Sequence, residues 1–170
     1  MKYLATALCA GAMMMAAPAG AQEFRESTIV KFLDAESAMK PVMDEMGATY
    51  TDMDGDTGGK RIVFSNGLIT YAEFRVCSNG NSNCEGMRLL ASYGAPEGVS
   101  RTELMRRANE FNSLYNTAKA VVRDDGSVYY TRYLISDGGI SMENYRVGLR
   151  VFENMREPFE TIVLEGGSTE

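Results

Sequence analysis

The sequence predicts an α+β domain in which three helices pack on an antiparallel sheet, in the order α-βββ-α-ββ-α. Two observations support this prediction. Segments in which apolar and polar residues alternate lie between segments whose apolar residues recur every three to four positions, as strands and helices require. Short turns typical of antiparallel hairpins, Asn66-Gly67 and Asp124-Asp125-Gly126, join successive strand-like segments.

The first 21 residues are typical of a secretory signal peptide. A single basic residue, Lys2, precedes an uncharged stretch, and small residues occupy positions 19–21, where a signal peptidase requires them. Cleavage is expected between Ala21 and Gln22. Cys9 does not fit a lipoprotein signal, because a large residue precedes it. We therefore expect a periplasmic or secreted protein.

Residues 22–170 are long enough for one domain with a substantial core. We expect an N-terminal lead-in over 22–33, a folded domain over 34–165 and a flexible tail over 166–170. The whole chain carries a formal net charge of −6, which removal of Lys2 would make −7. An acidic exported domain is a poor candidate for binding nucleic acid or anionic lipid. After the signal peptide, no run in the sequence is apolar for long enough to span a membrane.

The predicted domain begins with a short strand over 28–32 and a helix. Asp34 or Ser37 would cap the start of that helix, and Gly47 would end it. Pro41 must lie in the first turn or bend the helix, because proline has no amide hydrogen to donate.

Three strand-like runs follow, at 60–65, 68–76 and 86–93, and we predict that they form an antiparallel meander. Between the second and third runs, Cys77 and Cys84 flank six residues rich in the turn formers Asn, Ser and Gly. An oxidising compartment favours a disulfide between them. Zinc would require two further ligands, and the sequence has no histidine. Closing this short loop should stabilise the fold by about 2.5 kcal/mol.

A helix, a hairpin and a last helix are predicted for the second half of the domain. A capping box, S-x-x-E at 100–103, opens a helix that runs to about Leu114. Ser141 would cap a long final helix, which Pro158 kinks or ends. The hairpin strands between these helices are 118–123 and 127–135. The apolar stripes of the two helices are Leu104, Ala108, Phe111 and Tyr115, then Tyr145, Leu149, Phe152, Phe159 and Val163.

The run from RANEFN at 107–112 to MREPF at 155–159 resembles the YbjN family of bacterial sensory transduction regulators. The family pattern has an N-x-W-N helix end, two strands about an acidic-Gly turn and a Gly-Gly loop before the last helix. Phe111 stands where the family has tryptophan. Residues 67–93 resemble the family's strand, paired cysteines and following strand, and the resemblance spans about 34–163. It implies a fold like that of type III secretion chaperones, hence protein or peptide binding, with a homodimer as a further expectation.

Two surfaces are candidates for partner binding. Asn109 and Asn112 lie beside an apolar helical stripe, where their amides would either bind a peptide backbone or satisfy the turn into the next strand. Tyr71 and Arg75 lie opposite the apolar face of one strand, and Tyr129 and Tyr133 share one face of another strand, whose two faces both carry aromatic residues. Such residues would form a recognition surface if helices cover only one sheet face. Helices on both faces would hide them. The candidate binding residues are Tyr71, Arg75, Asn109, Phe111, Asn112, Tyr129 and Tyr133.

Two patterns on the first helix suggest other chemistries. Ser37 and Lys40 form S-x-x-K, a nucleophile motif of penicillin-recognising serine enzymes, but the S-D-N and K-T-G elements of those enzymes are absent from the sequence. Met39, Met43 and Met46 have a spacing that suits a Cu(I) site or, more commonly, an ordinary helix core.

Asp52, Asp54 and Asp56 imitate a calcium loop, but the glycine and the final glutamate that such a loop requires are missing. We predict no catalytic residue, metal site or cofactor. The leading hypothesis is an exported, non-catalytic domain that binds an unknown protein or peptide in a regulatory or chaperone-like role. The alternatives are a small serine hydrolase that uses Ser37 and Lys40, and a Cu(I)-binding protein.

Overall fold

A computed structural model describes residues 23–53 and 58–167. The predicted signal peptide lies outside the described residues, as do Asp54 and Asp56 of the calcium-like loop and positions 168–170 of the predicted tail. The strands are β1 Ile29–Val30, β2 Thr49–Asp52, β3 Lys60–Val63, β4 Ile69–Asn79, β5 Ser82–Tyr93, β6 Lys119–Val122, β7 Val128–Ile135 and β8 Ile140–Ser141. The helices are α1 Glu36–Met46, α2 Arg101–Leu114, α3 Met142–Glu153 and α4 Arg156–Phe159, which a π-helix over Glu160–Glu165 follows.

Six strands form one antiparallel sheet in the order β2-β3-β4-β5-β7-β6, and β1 pairs separately with β8. The predicted α+β class is confirmed, but the meander has four strands instead of three. The additional strand, β2, has the sequence TYTD and pairs only with β3 at the edge of the sheet. An exposed edge strand needs no alternating apolar residues, so its sequence carries no strand pattern.

The buried side chains of the helices join those of one sheet face in a single core cluster. Tyr130 of β7 is completely buried there, with its ring centroid 4.7 Å from that of Phe152 and 5.0 Å from that of Phe159. Aromatic pairs at such distances contribute about 0.5–1.5 kcal/mol beyond the burial of their area. The buried Tyr145 hydroxyl donates a hydrogen bond to the Leu33 carbonyl at 3.0 Å, which ties α3 to the segment before α1.

The start of α1 differs from the prediction. Ala35 occupies the N-cap position without a side-chain hydrogen bond, and Ser37 lies inside the first turn. The Asp34 carboxylate instead accepts two backbone amide hydrogens from the β4–β5 hairpin, at 3.0 and 2.7 Å. Pro41 lies beyond the first turn, and the helix continues through it. Gly47 ends the helix as predicted, with a left-handed φ of 63°.

The long last helix predicted from the sequence is broken into three segments. α3 ends at Glu153, and α4 begins at Arg156 with Pro158 in its first turn. Because Pro158 has no amide hydrogen, a continuous helix would leave the carbonyl four residues earlier, at Asn154, without its partner. The helix breaks at Asn154, one turn before the proline that causes the break.

The β4–β5 hairpin carries the predicted disulfide near its tip. Cys77 and Cys84 are bonded and directly opposite each other, and both strands are longer than predicted, so the turn is confined to Asn79–Ser82. Val76 has a φ of 54°, which β-branched residues rarely adopt. The alternation of side chains changes phase there: Val76 is exposed, whereas Cys84 is completely buried. The disulfide therefore packs toward the core.

Candidate functional site

The sheet has an open face, by which we mean the face opposite the helices. Its aliphatic and aromatic side chains are Val63, Ile69, Tyr71, Leu90, Val121, Tyr129, Tyr133 and Ile135. None of these eight belongs to the core cluster that the helices cover. Ile69, Tyr133 and Ile135 keep 43%, 44% and 61% of their surface exposed. Exposed apolar side chains that share one face of a sheet indicate a docking surface.

A row of directly paired residues crosses the middle of the open face. Arg61, Tyr71, Leu90, Thr131 and Lys119 follow one another on β3, β4, β5, β7 and β6. Leu90, at the centre, is only 8% exposed although none of the described helices lies on this side. The Thr131 hydroxyl donates to a backbone carbonyl of β5 at 2.7 Å. The centre of the row is therefore apolar, and its two ends are cationic.

Tyr133 owes its position on the open face to a glycine on the neighbouring strand. A β-carbon built on Gly86 would lie 2.1 Å from the Tyr133 hydroxyl oxygen and 2.9 Å from the ring carbon that bears it. Only glycine leaves room for the end of the tyrosine to lie over the β5 backbone. Gly86 itself is buried although it faces away from the core. The tyrosine is thereby held flat against the sheet.

A three-residue ion network lies beside Tyr133. Glu73 of β4 accepts hydrogen bonds from Arg88, directly opposite on β5, with 3.0 Å to Nε and 2.5 Å to a terminal nitrogen. Glu73 also accepts a hydrogen bond from Arg75, which lies two residues further along β4. The network holds two cations against one carboxylate, so it carries a net positive charge. Because these side chains are partly exposed, the network serves to orient the arginines more than to stabilise the fold.

A further cation lies against Tyr129 at the other end of the open face. The Arg123 guanidinium is 4.5 Å from the Tyr129 ring centroid, a cation–π contact. The same guanidinium donates to the Ser92 hydroxyl at 3.0 Å, which fixes its direction. Tyrosine and arginine are thus paired at both ends of the face, and these residue types dominate binding hot spots.

The structure brings together four of the seven candidate binding residues. Tyr71, Arg75, Tyr129 and Tyr133 share the open face. The sequence did not single out their partners on this face, which are Gly86, Glu73, Arg88, Leu90 and Arg61. The only signal for them is the alternation of each strand, and the register that joins the strands is not visible in it.

The other three candidates lie on α2, away from the open face. Phe111 is completely buried, with its ring edge-on to Phe159 at 5.6 Å, so it serves the core. The Asn112 amide bonds to both backbone groups of Ala120, accepting at 2.7 Å and donating at 3.0 Å. Asn109 is exposed on α2. The asparagines and Phe111 therefore do not form a shared binding strip with the tyrosines.

Ser37 and Lys40 are both exposed on α1, and Ser37 lines a shallow cleft of about 270 Å³ beside β1. The Lys40 ammonium is 2.7 Å from the Asp44 carboxylate, and this hydrogen bond raises the pKa of Lys40. A lysine that acts as a general base needs a lowered pKa. The geometry gives no support to a Ser-Lys hydrolase.

Met39, Met43 and Met46 lie in the core, at 0%, 0% and 5% exposure. Buried among apolar side chains, they fill space as methionine commonly does, and this burial favours an ordinary helix core over a Cu(I) site. Asp52 forms an ion pair with Lys60 across the β2–β3 hairpin. Within residues 23–53 and 58–167, no group of three or more His, Cys, Asp or Glu side chains is placed to hold a metal ion.

None of the helices in the described part of the chain has the length and apolarity needed to cross a membrane.

The comparison with known proteins identifies a family over most of the chain. Residues 39–163 match the family model for YbjN, described as "Putative bacterial sensory transduction regulator". The crystal structure of YbjN, "a putative transcription regulator from E. coli", is similar in fold at 12% identity and a TM-score of 0.58, covering 81% of this chain and 93% of that one. None of the curated proteins matches the chain.

Two chaperone complexes are more distant matches. The structure of the HopA1-SchA chaperone-effector complex matches at 12% identity and a TM-score of 0.48, covering 74% of this chain and 92% of that one. The Yersinia pestis type III secretion chaperone SycH, in complex with a stable fragment of YscM2, matches at 13% identity and a TM-score of 0.43. That match covers 70% of this chain and 93% of the SycH complex chain.

Proposed function

Because the chain belongs to the YbjN family, we propose that it is an exported, non-catalytic regulatory or chaperone-like domain that binds a segment of a partner protein on the open face of its sheet. The family description supports a regulatory role. The observation that carries the proposal is the uncovered sheet face, on which exposed aliphatic side chains lie among tyrosines and arginines. Such a composition is enriched at protein interfaces.

Several side chains of the open face are held in place by neighbouring residues, which supports a role in binding. Tyr133 is seated over a glycine, Tyr129 is stacked by Arg123, and Arg88 is held by a carboxylate across the strand pair. Side chains that are already ordered lose less conformational entropy when a partner binds. A preorganised Tyr/Arg face is therefore suited to recognition.

Export is part of the proposal, and the disulfide supports it. Cys77 and Cys84 are directly paired and bonded near the tip of the hairpin. Disulfides of this structural kind persist in oxidising compartments such as the bacterial periplasm. The signal-like sequence at the start of the chain points to the same compartment.

Site-specific photo-crosslinking in the native host tests the binding face. A photo-reactive phenylalanine analogue would replace Tyr133 in one variant and Met105 in a second. The two positions are matched, since each side chain is 44% exposed, but Met105 lies on α2 in the helical layer. We expect a discrete protein adduct from position 133 and none of that mass from position 105. Equal adducts at both positions would contradict a dedicated face.

The partner recovered from that adduct provides a second readout. Tyr71→Ala and Tyr133→Ala should each weaken its capture by the purified protein while the thermal unfolding curve stays close to that of the wild type. Both side chains lie on the open face and contribute nothing to the core cluster. If the double variant captures the partner as well as the wild type does, the open face is not the binding site.

A further inference from the structure

We infer that the partner segment is an extended peptide with an apolar centre and a carboxylate at each end, the two carboxylates being about six residues apart. The inference rests on the proposed function and names the chemistry of its ligand.

The open face is basic although the protein is acidic. The strand register assigns four cationic side chains to this face, Arg61, Arg75, Arg88 and Lys119, and one carboxylate, that of Glu73. Arg123 adds a fifth cation through its stacking on Tyr129. The whole chain, by contrast, carries a formal net charge of −6. A basic face on an acidic protein favours the binding of an anionic ligand.

Three cations of this face have no ion-pair partner among the described carboxylates. Arg61, Lys119 and Arg123 form no salt bridge within residues 23–53 and 58–167, whereas Arg75 and Arg88 are both engaged by Glu73. Arg61 and Lys119 lie at opposite ends of the central row, on β3 and β6. The cations that remain available for a ligand therefore lie at the two sides of the face.

The spacing of the row sets the length of the ligand. β3 and β6 are four strand positions apart in the sheet order, or about 19 Å at about 4.8 Å per strand. An extended peptide rises about 3.3 Å per residue, so two of its side chains span that distance when they are about six residues apart. Between the cations the ligand would lie over Tyr71, Leu90 and Thr131, which form the apolar part of the row.

Two other kinds of occupant fit less well. A second copy that docked face to face would set five cations against the same five, because the interface would be isologous. A single-stranded nucleic acid would need cations along the whole path of its phosphates. Here the path between Arg61 and Lys119 is apolar, and the nearest arginines are shared with Glu73. A peptide with separated charges matches the pattern.

Labelled seven-residue peptides test the inference by fluorescence anisotropy on the mature protein. The first peptide has Glu at positions 1 and 7 with Leu and Ser between them, and two controls carry Gln or Lys at those positions. We expect the Glu peptide to bind about tenfold more tightly than the Gln peptide at low salt, since it forms two additional ion pairs, with the Lys peptide weakest. The preference should shrink as ionic strength rises, because the cations are partly exposed.

Charge-neutralising substitutions test which cations cause the preference for the Glu peptide over the Gln peptide. Arg61→Gln combined with Lys119→Gln should abolish the preference for Glu over Gln. The matched control, Arg25→Gln combined with Lys40→Gln, removes the same charge from exposed positions off the open face and should keep the preference. Circular dichroism of both double variants should match that of the wild type. A preference that survives the first pair of substitutions overturns the inference.

The remaining outcomes separate this inference from the proposed function. Equal affinity for the Glu and Gln peptides, both lost in Tyr71→Ala with Tyr133→Ala, would overturn the acidic ligand and leave the binding face intact. Tighter binding of a ten-nucleotide oligo(dT) than of the Glu peptide would overturn it in favour of nucleic acid. Failure to bind the Glu peptide at all would also overturn it, and the crosslink at position 133 would then decide the proposed function independently.

Discussion

Reduction of the disulfide between Cys77 and Cys84 should lower the free energy of unfolding measurably. The two cysteines close a loop of eight residues, and the chain-entropy model assigns such a loop about 8 cal/mol/K, or about 2.5 kcal/mol at 25 °C. The native hairpin also holds Val76 at a φ of 54°, which a β-branched residue adopts at a cost of about 1 kcal/mol or more. Relaxation of that residue after reduction would offset part of the loss. The expected decrease is therefore about 1–2.5 kcal/mol.

Urea unfolding with and without a phosphine reductant measures this difference, followed by far-UV circular dichroism because the chain has no tryptophan. On reduction, the urea concentration at the midpoint of unfolding should fall, while the slope of the free energy of unfolding against urea concentration changes little. The melting temperature should fall by about 3–8 °C. In the control, Cys77→Ala with Cys84→Ala should unfold at the same urea concentration with or without reductant.

An unchanged midpoint on reduction would refute the reasoning. It would mean that the hairpin tip is held mainly by its contacts with the segment before α1. Those contacts are the two amide hydrogens that Asp34 accepts and the hydrogen bond from the Leu33 amide to the Cys84 carbonyl at 2.8 Å. Asp34→Ala should then become the more damaging change.

Three other substitutions, one of them with a control substitution on the same helix, test the roles of the open face, the core and the charges. Gly86→Ala should weaken partner binding more than it lowers stability, because the added carbon displaces the exposed end of Tyr133; a partner affinity equal to that of the wild type would contradict this. Asn112→Ala should lower the free energy of unfolding by about 2 kcal/mol through the loss of two hydrogen bonds, whereas Asn109→Ala, exposed on the same helix, should leave the urea midpoint unchanged. Two arginines hold the pKa of Glu103 at about 2, so its contribution is present above pH 4.5 and is lost as the pH falls toward 2. Glu103→Gln should therefore flatten the pH dependence of the melting temperature in that window, and an unchanged slope would exclude the effect.

The elements that the sequence predicts best are those with local signals. The capping box at Ser100 and the stripe behind it predict α2, and the structure has that helix over Arg101–Leu114 with Ser100 accepting from the Glu103 amide. β2 has no such signal, because a polar edge strand is defined by its pairing with β3 and not by its composition. The change of phase at Val76 is equally invisible, since it arises where the disulfide and the segment before α1 meet.

In the candidate site, too, local sequence patterns predict some features, whereas others depend on how the strands and helices pack together. Alternation along β4 predicts that Tyr71 lies opposite the apolar face of its strand, whereas β7 carries aromatic residues on both faces, so its sequence does not decide where Tyr133 points. In the structure both tyrosines lie on the open face. The sequence predicts the meander and the hairpin but neither the pairing of β5 with β7 nor the register of the strands, so it does not reveal that Arg61 and Lys119 end the row through Tyr71. It also leaves both a binding strip and a structural bond open for Asn112, with the structural use favoured at a helix end, because both uses need the same amide. Only the tertiary arrangement decides between them.

The double hydrogen bond from Asn112 has a consequence for the behaviour of the protein at high concentration. β6 is the last strand on its side of the sheet, and such a strand normally presents unpaired amides and carbonyls to any neighbouring chain. The Asn112 amide bonds to the Ala120 amide and carbonyl much as a further strand would. One side chain on α2 thus occupies the middle of that edge, and a second molecule cannot extend the sheet there by adding its own strand. Resistance to aggregation at this edge resides in a helix residue and not in the strand.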